Sequence, residues 1–175
     1  MEARFTIDSS MSKEDYRIFL YTSIFRKSRV RIIILLLTCL LAGFVIAYDD
    51  AFNTMVFLIA MFLFVVFIFS AIVFNIERRY SQRIKTDKTG IFNNTHKLIF
   101  FEDKLVTESI SPKSQGELKY EQFYELIETN DYWYFYMTIN QASLLSKRNI
   151  RENSYNVEEF GEFIREKFKD RYKKI

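Results

Sequence analysis

Two long apolar runs, separated by a few residues, constrain this chain more than any other feature. The first run extends from Ile32 to Tyr48 and the second from Met55 to Ile76, and neither contains a charged residue. The hydrocarbon core of a bilayer is about 30 Å thick, and a helix needs roughly 17–25 apolar residues to cross it. Both runs meet that length, the first at its lower limit. We therefore predict two membrane-spanning helices joined by a short turn.

Basic residues lie on the outer flanks of both runs, whereas the turn between them contains none. The flanking basic residues are Arg26, Lys27, Arg29, Arg31, Arg78, Arg79, Arg83, Lys85 and Lys88. Basic residues near the ends of membrane helices stay on the cytoplasmic side. We expect a multi-pass plasma-membrane protein with both termini in the cytoplasm and the Asp49–Asp50 turn outside. The flanking charges are expected to contact the anionic inner leaflet.

Two other interpretations of the apolar runs are disfavoured. A signal peptide does not fit, because the first run begins far from Met1 and Tyr48-Asp49-Asp50 is not a small-residue cleavage site. A buried helical pair in a soluble protein does not fit either, because the runs are apolar on every face. Small residues at Ala42, Gly43 and Ala47 predict that the two helices approach each other closely.

The segments on either side of the hairpin show weaker patterns. Glu2 to Ile7 alternates enough for a short strand. Ser12 and Asp15 have the spacing of a helix-capping box, which predicts a short amphipathic helix that lies on the membrane or on the soluble domain. The second apolar helix is expected to continue through Ile84 and to end near Gly90.

Beyond residue 96 the pattern changes to short segments typical of β-strands. Strands are predicted at Lys97–Phe101, Lys104–Ser109, Glu117–Tyr120, Gln122–Thr129, Tyr132–Ile139 and Gln141–Ser146. Turn residues between them favour antiparallel hairpins. Asn156 is then expected to cap a final helix with an apolar stripe. The stripe consists of Val157, Phe160, Phe163, Ile164 and Phe168. The fold class is therefore an α+β membrane protein, with an antiparallel β-barrel or curled sheet closed by a C-terminal helix.

The aromatic strand from Tyr132 to Ile139 supplies the first candidate site. Its alternation places one set of side chains in a core: Trp133, Phe135, Met137 and Ile139. The other set, Tyr132, Tyr134, Tyr136 and Thr138, is expected on a half-wet face. Such a face either packs within the sheet or serves as a ligand platform, and both interpretations stay open.

A basic cluster directly after the last strand supplies the second candidate site. It consists of Lys147, Arg148 and Arg151. If these residues face the membrane, each charge adds about 1 kcal/mol of attraction to anionic lipid. The alternative is a loop that only increases solubility.

The residues needed for common catalytic chemistry are scarce. His96 is the only histidine, and we expect it in an exposed turn at a strand entry. Cys39 is the only cysteine and is interpreted as a small core residue within the first span. We predict no enzymatic activity, no catalytic residue, no metal site and no cofactor. The net charge of +3 and its juxtamembrane concentration favour lipid over nucleic acid as a partner.

The order of these elements resembles the YcxB-like family of bacterial membrane proteins. The resemblance rests on the two apolar helices, EDKLVTESI at Glu102–Ile110, the long segment Gly116–Ile150, and VEEF at Val157–Phe160. Family members often have a proline where this chain has Ser146. The resemblance implies a C-terminal domain related to pleckstrin-homology (PH)-like folds, a Gram-positive plasma membrane, and no established catalytic activity.

These observations divide the chain into four parts. Residues 1–29 form an N-terminal cytoplasmic strand and amphipathic helix, 30–78 the transmembrane hairpin, 79–95 a juxtamembrane extension and linker, and 96–175 the PH-like domain. We expect a non-catalytic membrane protein whose PH-like module binds a protein segment or anionic lipid headgroups. An alternative is an immunity protein that protects against a membrane-active peptide. The sequence leaves the oligomeric state open.

Overall fold

The computed structural model describes residues 2–25, 29–48, 52–87, 90, 92, 94–109 and 114–175. The strands are β1 (Phe5–Ser10), β2 (Thr95–Phe100), β3 (Lys104–Ser109), β4 (Ser114–Lys119), β5 (Glu125–Glu128), β6 (Tyr132–Tyr136), β7 (Ala142–Ser146) and β8 (Tyr172–Lys174). The helices are α1 (Lys13–Phe25), α2 (Arg29–Ala47), α3 (Thr54–Thr86), α4 (Lys147–Glu152) and α5 (Val157–Phe168). The chain forms two compact units, residues 1–16 with 87–175 and residues 17–86.

The first unit contains two four-stranded sheets. One sheet has the order β1-β2-β3-β4 and is antiparallel throughout. The other has the order β7-β6-β5-β8, and its β5–β8 pair is parallel. Among the described strands the two sheets stay separate, so the predicted barrel is not closed. The expectation of antiparallel hairpins is correct except for β8, which reaches β5 by way of α5.

One aromatic core lies between the two sheets and under α5. Sheet residues in this core include Phe5, Phe100 and Trp133, and α5 contributes its buried stripe. Phe160 of α5 lies edge-on to Phe5 and Phe100, with ring centroids 5.3 and 5.0 Å away. Such edge-to-face pairs are favoured by the ring quadrupoles and add to the hydrophobic gain of burial. The predicted apolar stripe therefore closes the core, although Val157 is only half-buried.

The local signals at the helix starts agree with the structure. Ser12 Oγ accepts from the Asp15 amide at 3.0 Å, and Asp15 Oδ2 accepts from the Ser12 amide at 2.8 Å, which completes the predicted capping box. Asn156 accepts from the Glu158 amide and caps α5. Asn53 caps α3 in the same way, through bonds from the amides of the second and third helical residues.

The second unit consists of most of α1 together with the two apolar helices. α3 has 33 residues and is long and apolar enough to cross a membrane by length and composition, whereas the apolar part of α2, Ile32–Ala47, is shorter. A Cβ atom on Gly43 would lie 3.5 Å from the Phe57 ring and 3.6 Å from the Met61 amide of α3. The close approach predicted for the helices is therefore present, and buried Cys39 and Ala47 stand one turn before and after Gly43.

The apolar helices are an insertion between two neighbouring strands. β1 ends at Ser10 and β2 begins at Thr95, and these two residues are paired across the sheet. The chain therefore leaves this sheet and returns to it at the same end of one strand pair. A strand predicted weakly at Glu2–Ile7 lies at Phe5–Ser10 and is an integral part of the sheet.

Candidate functional site

The basic cluster after β7 is part of a short helix and not of a loop. Ser146 caps α4, because its Oγ accepts from the Arg148 amide at 3.1 Å. The amide of Lys147 donates to the carbonyl oxygen of Asp131 at 2.8 Å, and Ile150 is fully buried. Six residues are too few to show a helical period in the sequence, which is why the helix was not predicted.

Two asparagines attach α4 to strand β1. Asn149 Nδ2 donates to Ser9 Oγ at 3.0 Å and to the Ser10 carbonyl at 3.1 Å. Asn153 Nδ2 donates to the Asp8 carbonyl at 3.1 Å, and its Oδ1 accepts from the Asp8 amide at 3.0 Å. These bonds join positions about 140 residues apart in sequence, so no local signal identifies them. They hold α4 beside the end of β1 from which the chain leaves for the apolar helices.

Two of the three predicted basic residues are exposed on α4. Arg148 and Arg151 lie three positions apart, so they share one side of the helix. The Arg148 side chain is 56% exposed, and its guanidinium is 3.7 Å from Asp15 Oδ2 and 3.7 Å from Glu152. These distances exceed those of a direct hydrogen bond, so the guanidinium keeps donors available to solvent. Arg148 and Arg151 are therefore the basic side chains that α4 exposes, with the carboxylates of Asp15 and Glu152 beside Arg148.

Lys147 differs from its two neighbours, because its charge is paired inside the protein. Its Nζ lies 2.7 Å from Glu128 Oε1 and 5.2 Å from the centre of the Trp133 ring. Only 11% of the lysine side chain and 4% of the Glu128 side chain are exposed. The ammonium group is therefore not presented at the surface with Arg148 and Arg151.

Glu128 is the centre of a buried ionic cluster. Its Oε2 accepts from Tyr172 Oη at 2.7 Å and from Arg165 Nε at 3.4 Å. Burial alone would raise the pKa of Glu128, but hydrogen bonds from Lys147 and Tyr172 and the charges of Lys147 and Arg165 outweigh it and hold the pKa below its usual range. Burial and the bond to Glu128 raise the pKa of Tyr172 to about 12. The carboxylate therefore stays ionised and the phenol stays a donor at neutral pH.

The tyrosine face of β6 is buried, so the expected half-wet face is wrong. Tyr134 and Tyr136 are 0% and 2% exposed. The Tyr132 hydroxyl donates to Asp15 Oδ1 at 2.8 Å within the first unit. Burial, followed by this bond, raises the pKa of Tyr132. The start of α1 therefore covers one end of this face, and the burial agrees with the interpretation that the face packs within the domain.

The end of the aromatic strand also differs from its prediction. β6 ends at Tyr136, and Met137 and Ile139 are 38% and 58% exposed. They lie in the turn closed by the Met137 amide and the Gln141 carbonyl at 2.9 Å. Trp133 and Phe135 are in the core as predicted. The alternation therefore placed Trp133 and Phe135 correctly, but not the tyrosines of β6 or the residues beyond its end.

The remaining predicted residues are the basic residues that flank the apolar runs, and His96. Arg78, Arg79 and Arg83 are exposed on α3 beyond its apolar part. Arg29 and Arg31 lie in α2, but their side chains are outside the described residues, as are Arg26 and Lys27 entirely. His96 lies half-buried within β2 and not in an exposed turn. Among the described residues no group of three or more His, Cys, Asp or Glu is placed to hold a metal ion.

The geometry defines an α+β protein with a pair of apolar helices inserted between two strands of its sheet domain. The short helix α4, with two exposed arginines, lies at the end of β1 where the insertion begins. Residues 100–164 match the model of the YcxB-like protein family, so the resemblance found in the sequence is confirmed for this segment. The match runs from the end of β2 into α5 and therefore excludes β1 and the apolar helices. Comparison with curated proteins and with solved structures gives no match.

Proposed function

We propose that this protein is a non-catalytic binding module anchored in the bacterial plasma membrane. Its apolar helices span the bilayer as a hairpin with both termini in the cytoplasm, and its sheet domain is PH-like and contacts anionic headgroups of the inner leaflet. The observation that carries the proposal is the attachment of α4 to the end of β1 from which the chain leaves the sheet for α1 and the hairpin. Asn149 binds Ser9 and Ser10, and Arg148 approaches Asp15 in the first turn of α1.

The connectivity of the chain supports this arrangement. The chain leaves the sheet at Ser10 and re-enters it at the paired residue Thr95, and the Cα atoms of such an antiparallel pair lie about 5 Å apart. Because both connections to the hairpin leave from this end of the sheet, we propose that this end faces the bilayer surface. Arg148 and Arg151 are then cations placed at that end, and juxtamembrane cations are drawn to anionic lipid within about a Debye length.

The PH-like relationship is supported by the layout of the sheets. Two sheets enclose one aromatic core, and the amphipathic helix α5 closes it near the C-terminal end of the chain. This layout agrees with the fold that the family resemblance implies. PH-like modules suit a binding role, because a rigid core supports exposed loops and short helices that recognise the partner.

A lipid titration of the full chain tests the proposal. The chain in zwitterionic detergent is titrated with short-chain phosphatidylglycerol, and the same is done for Arg148→Gln/Arg151→Gln. At about 1 kcal/mol for each charge, the double variant should lose roughly 30-fold in affinity. Lys97→Gln/Lys119→Gln removes the same charge from exposed strand positions and is the matched control.

The two outcomes separate the versions of this proposal. A loss confined to the α4 variant supports headgroup binding at Arg148 and Arg151. Equal affinities for the α4 variant and its control would refute headgroup binding there, and a protein segment would then be the ligand that the module binds.

A further inference from the structure

The outer edge of β5 is occupied by a short strand from the end of the chain. β8 pairs with β5 in parallel, with Tyr172 opposite Leu126 and Lys174 opposite Glu128. The Ile175 amide extends the ladder by donating to the Glu128 carbonyl at 3.0 Å. Without β8, the backbone donors and acceptors of this edge would be unpaired and ready to accept another strand.

Two buried carboxylates give this edge a chemical preference. Tyr172 Oη donates to Glu128 at 2.7 Å, and Lys173 Nζ lies 2.8 Å from Glu125. Glu128 and Glu125 are 3% and 4% exposed, and the hydrogen bond and charge of Glu125 raise the pKa of Lys173. The Tyr172 ring also lies beside Trp133, with the centroids 6.4 Å apart. These contacts show that the edge accommodates a phenol followed by a cation.

β8 is shorter and more exposed than the other strands of its sheet. It has three residues, of which Lys173 and Lys174 are exposed, whereas every residue of β6 is buried. Lys169 separates it from α5 with a φ of +44°, a conformation that non-glycine residues rarely adopt. Tyr172 only packs against the margin of the core. Release of β8 would therefore free the edge of β5 without breaking the β5–β6 and β6–β7 pairings.

We propose that the β5 edge is a strand-binding site for a partner protein segment with the pattern Tyr-Lys-Lys, and that Tyr172–Lys174 occupies it until such a segment displaces it. The inference adds a protein partner to the proposed membrane module and rests on that proposal only for its cellular setting. The β5 edge is a different surface from the one that contains Arg148 and Arg151. Strand addition supplies affinity through backbone bonds, and Glu125 and Glu128 supply the selectivity.

A peptide titration of the full chain in zwitterionic detergent tests this inference. The probe is a fluorescent peptide with the sequence of Arg171–Ile175, and binding is measured by anisotropy. The variant Tyr172→Ala/Lys173→Ala weakens the internal strand and should bind the peptide at least tenfold more tightly than the unaltered chain. A peptide with both lysines replaced by glutamate is the control and should not bind. Equal binding by both chains, or equal binding of both peptides, would overturn the proposal.

Hydrogen exchange of the unaltered chain gives a second test that needs no variant. Amides in the segment 172–175 should exchange at least tenfold faster than those of β6, because β8 opens without global unfolding. Equal protection of the two segments would mean that β8 opens only when the domain unfolds, and would refute the proposal. Neither measurement contains anionic lipid, so failure of headgroup binding and failure of strand binding remain distinguishable.

Discussion

Replacing Lys147 with methionine tests whether this residue stabilises the domain through its buried ion pair or belongs to the exposed basic cluster. Methionine keeps an unbranched side chain but removes the ammonium that lies 2.7 Å from Glu128. Removing one partner of a buried ion pair costs about 3–5 kcal/mol. Arg165 and Tyr172 still contact the carboxylate, so we expect the lower end of that range, about 3 kcal/mol. The neighbouring Arg148→Met, at a 56% exposed side chain, should cost less than about 1 kcal/mol.

Fluorescence of the chain's one tryptophan reports this unfolding directly. Trp133 is fully buried, and its ring centre lies 5.2 Å from Lys147 Nζ. Denaturant titration of the full chain in detergent, followed by the red shift of Trp133, therefore measures the stability of the sheet domain. The free energy of unfolding is then compared among the unaltered chain, Lys147→Met and Arg148→Met.

A double-mutant cycle supplies the refuting result. Glu128→Gln combined with Lys147→Met should cost at least 1 kcal/mol less than the sum of the single changes, because the uncompensated charge has been removed. Two results would refute this reasoning: Lys147→Met being no more destabilising than Arg148→Met, or the effects of Lys147→Met and Glu128→Gln being additive. Either would mean that the ion pair between Lys147 and Glu128 does not stabilise the domain.

Three further predictions concern the same domain. Folding lowers the pKa of Glu128, so the ionised carboxylate stabilises the folded domain above the unfolded pKa of about 4.3. This stabilisation is lost as the pH falls through the folded pKa. In denaturant titrations, Glu128→Gln should therefore lose less stability than the unaltered chain as the pH falls below 5. Phe160→Ala should cost about 3–5 kcal/mol in the same assay, whereas Ile139→Ala at a 58% exposed position should change stability by less than about 0.5 kcal/mol. Asp15→Ala removes the acceptor for the buried Tyr132 hydroxyl and for the Ser12 amide, and should cost about 2 kcal/mol; Asp15→Asn keeps an acceptor and should cost less.

Local signals in the sequence predicted the parts of this fold that local physics determines. The Ser12–Asp15 capping box, the Asn156 cap and the end of α3 before Gly90 depend on residues a few positions apart. β3 was predicted with its observed bounds, Lys104–Ser109, because turn residues flank it. The apolar stripe of α5 needed only the helical period.

Contacts distant in sequence account for the errors. The tyrosine face of β6 looked half-polar, but Tyr132 lies against Asp15, 117 positions earlier. The sequence placed Lys147 in a surface cluster, but its ammonium group forms an ion pair with the buried carboxylate of Glu128 in β5. β8 is three residues long and pairs with a strand that lies before α5. No pattern within a short window distinguishes these cases, because a basic residue looks the same whether its partner is lipid or a buried carboxylate.

The most direct test of the membrane account is to find on which side of the membrane the turn between the apolar helices and the sheet domain lie. Single cysteines placed at Asp50, in the predicted outer turn, and at Glu162, on the exposed side of α5, are labelled with a membrane-impermeant maleimide in a chain whose native Cys39 has been replaced by alanine. The account predicts that Asp50→Cys is labelled in intact cells and that Glu162→Cys is labelled only after the membrane is opened. Labelling of both cysteines in intact cells, or of neither until the membrane is opened, would contradict a hairpin that crosses the membrane and returns.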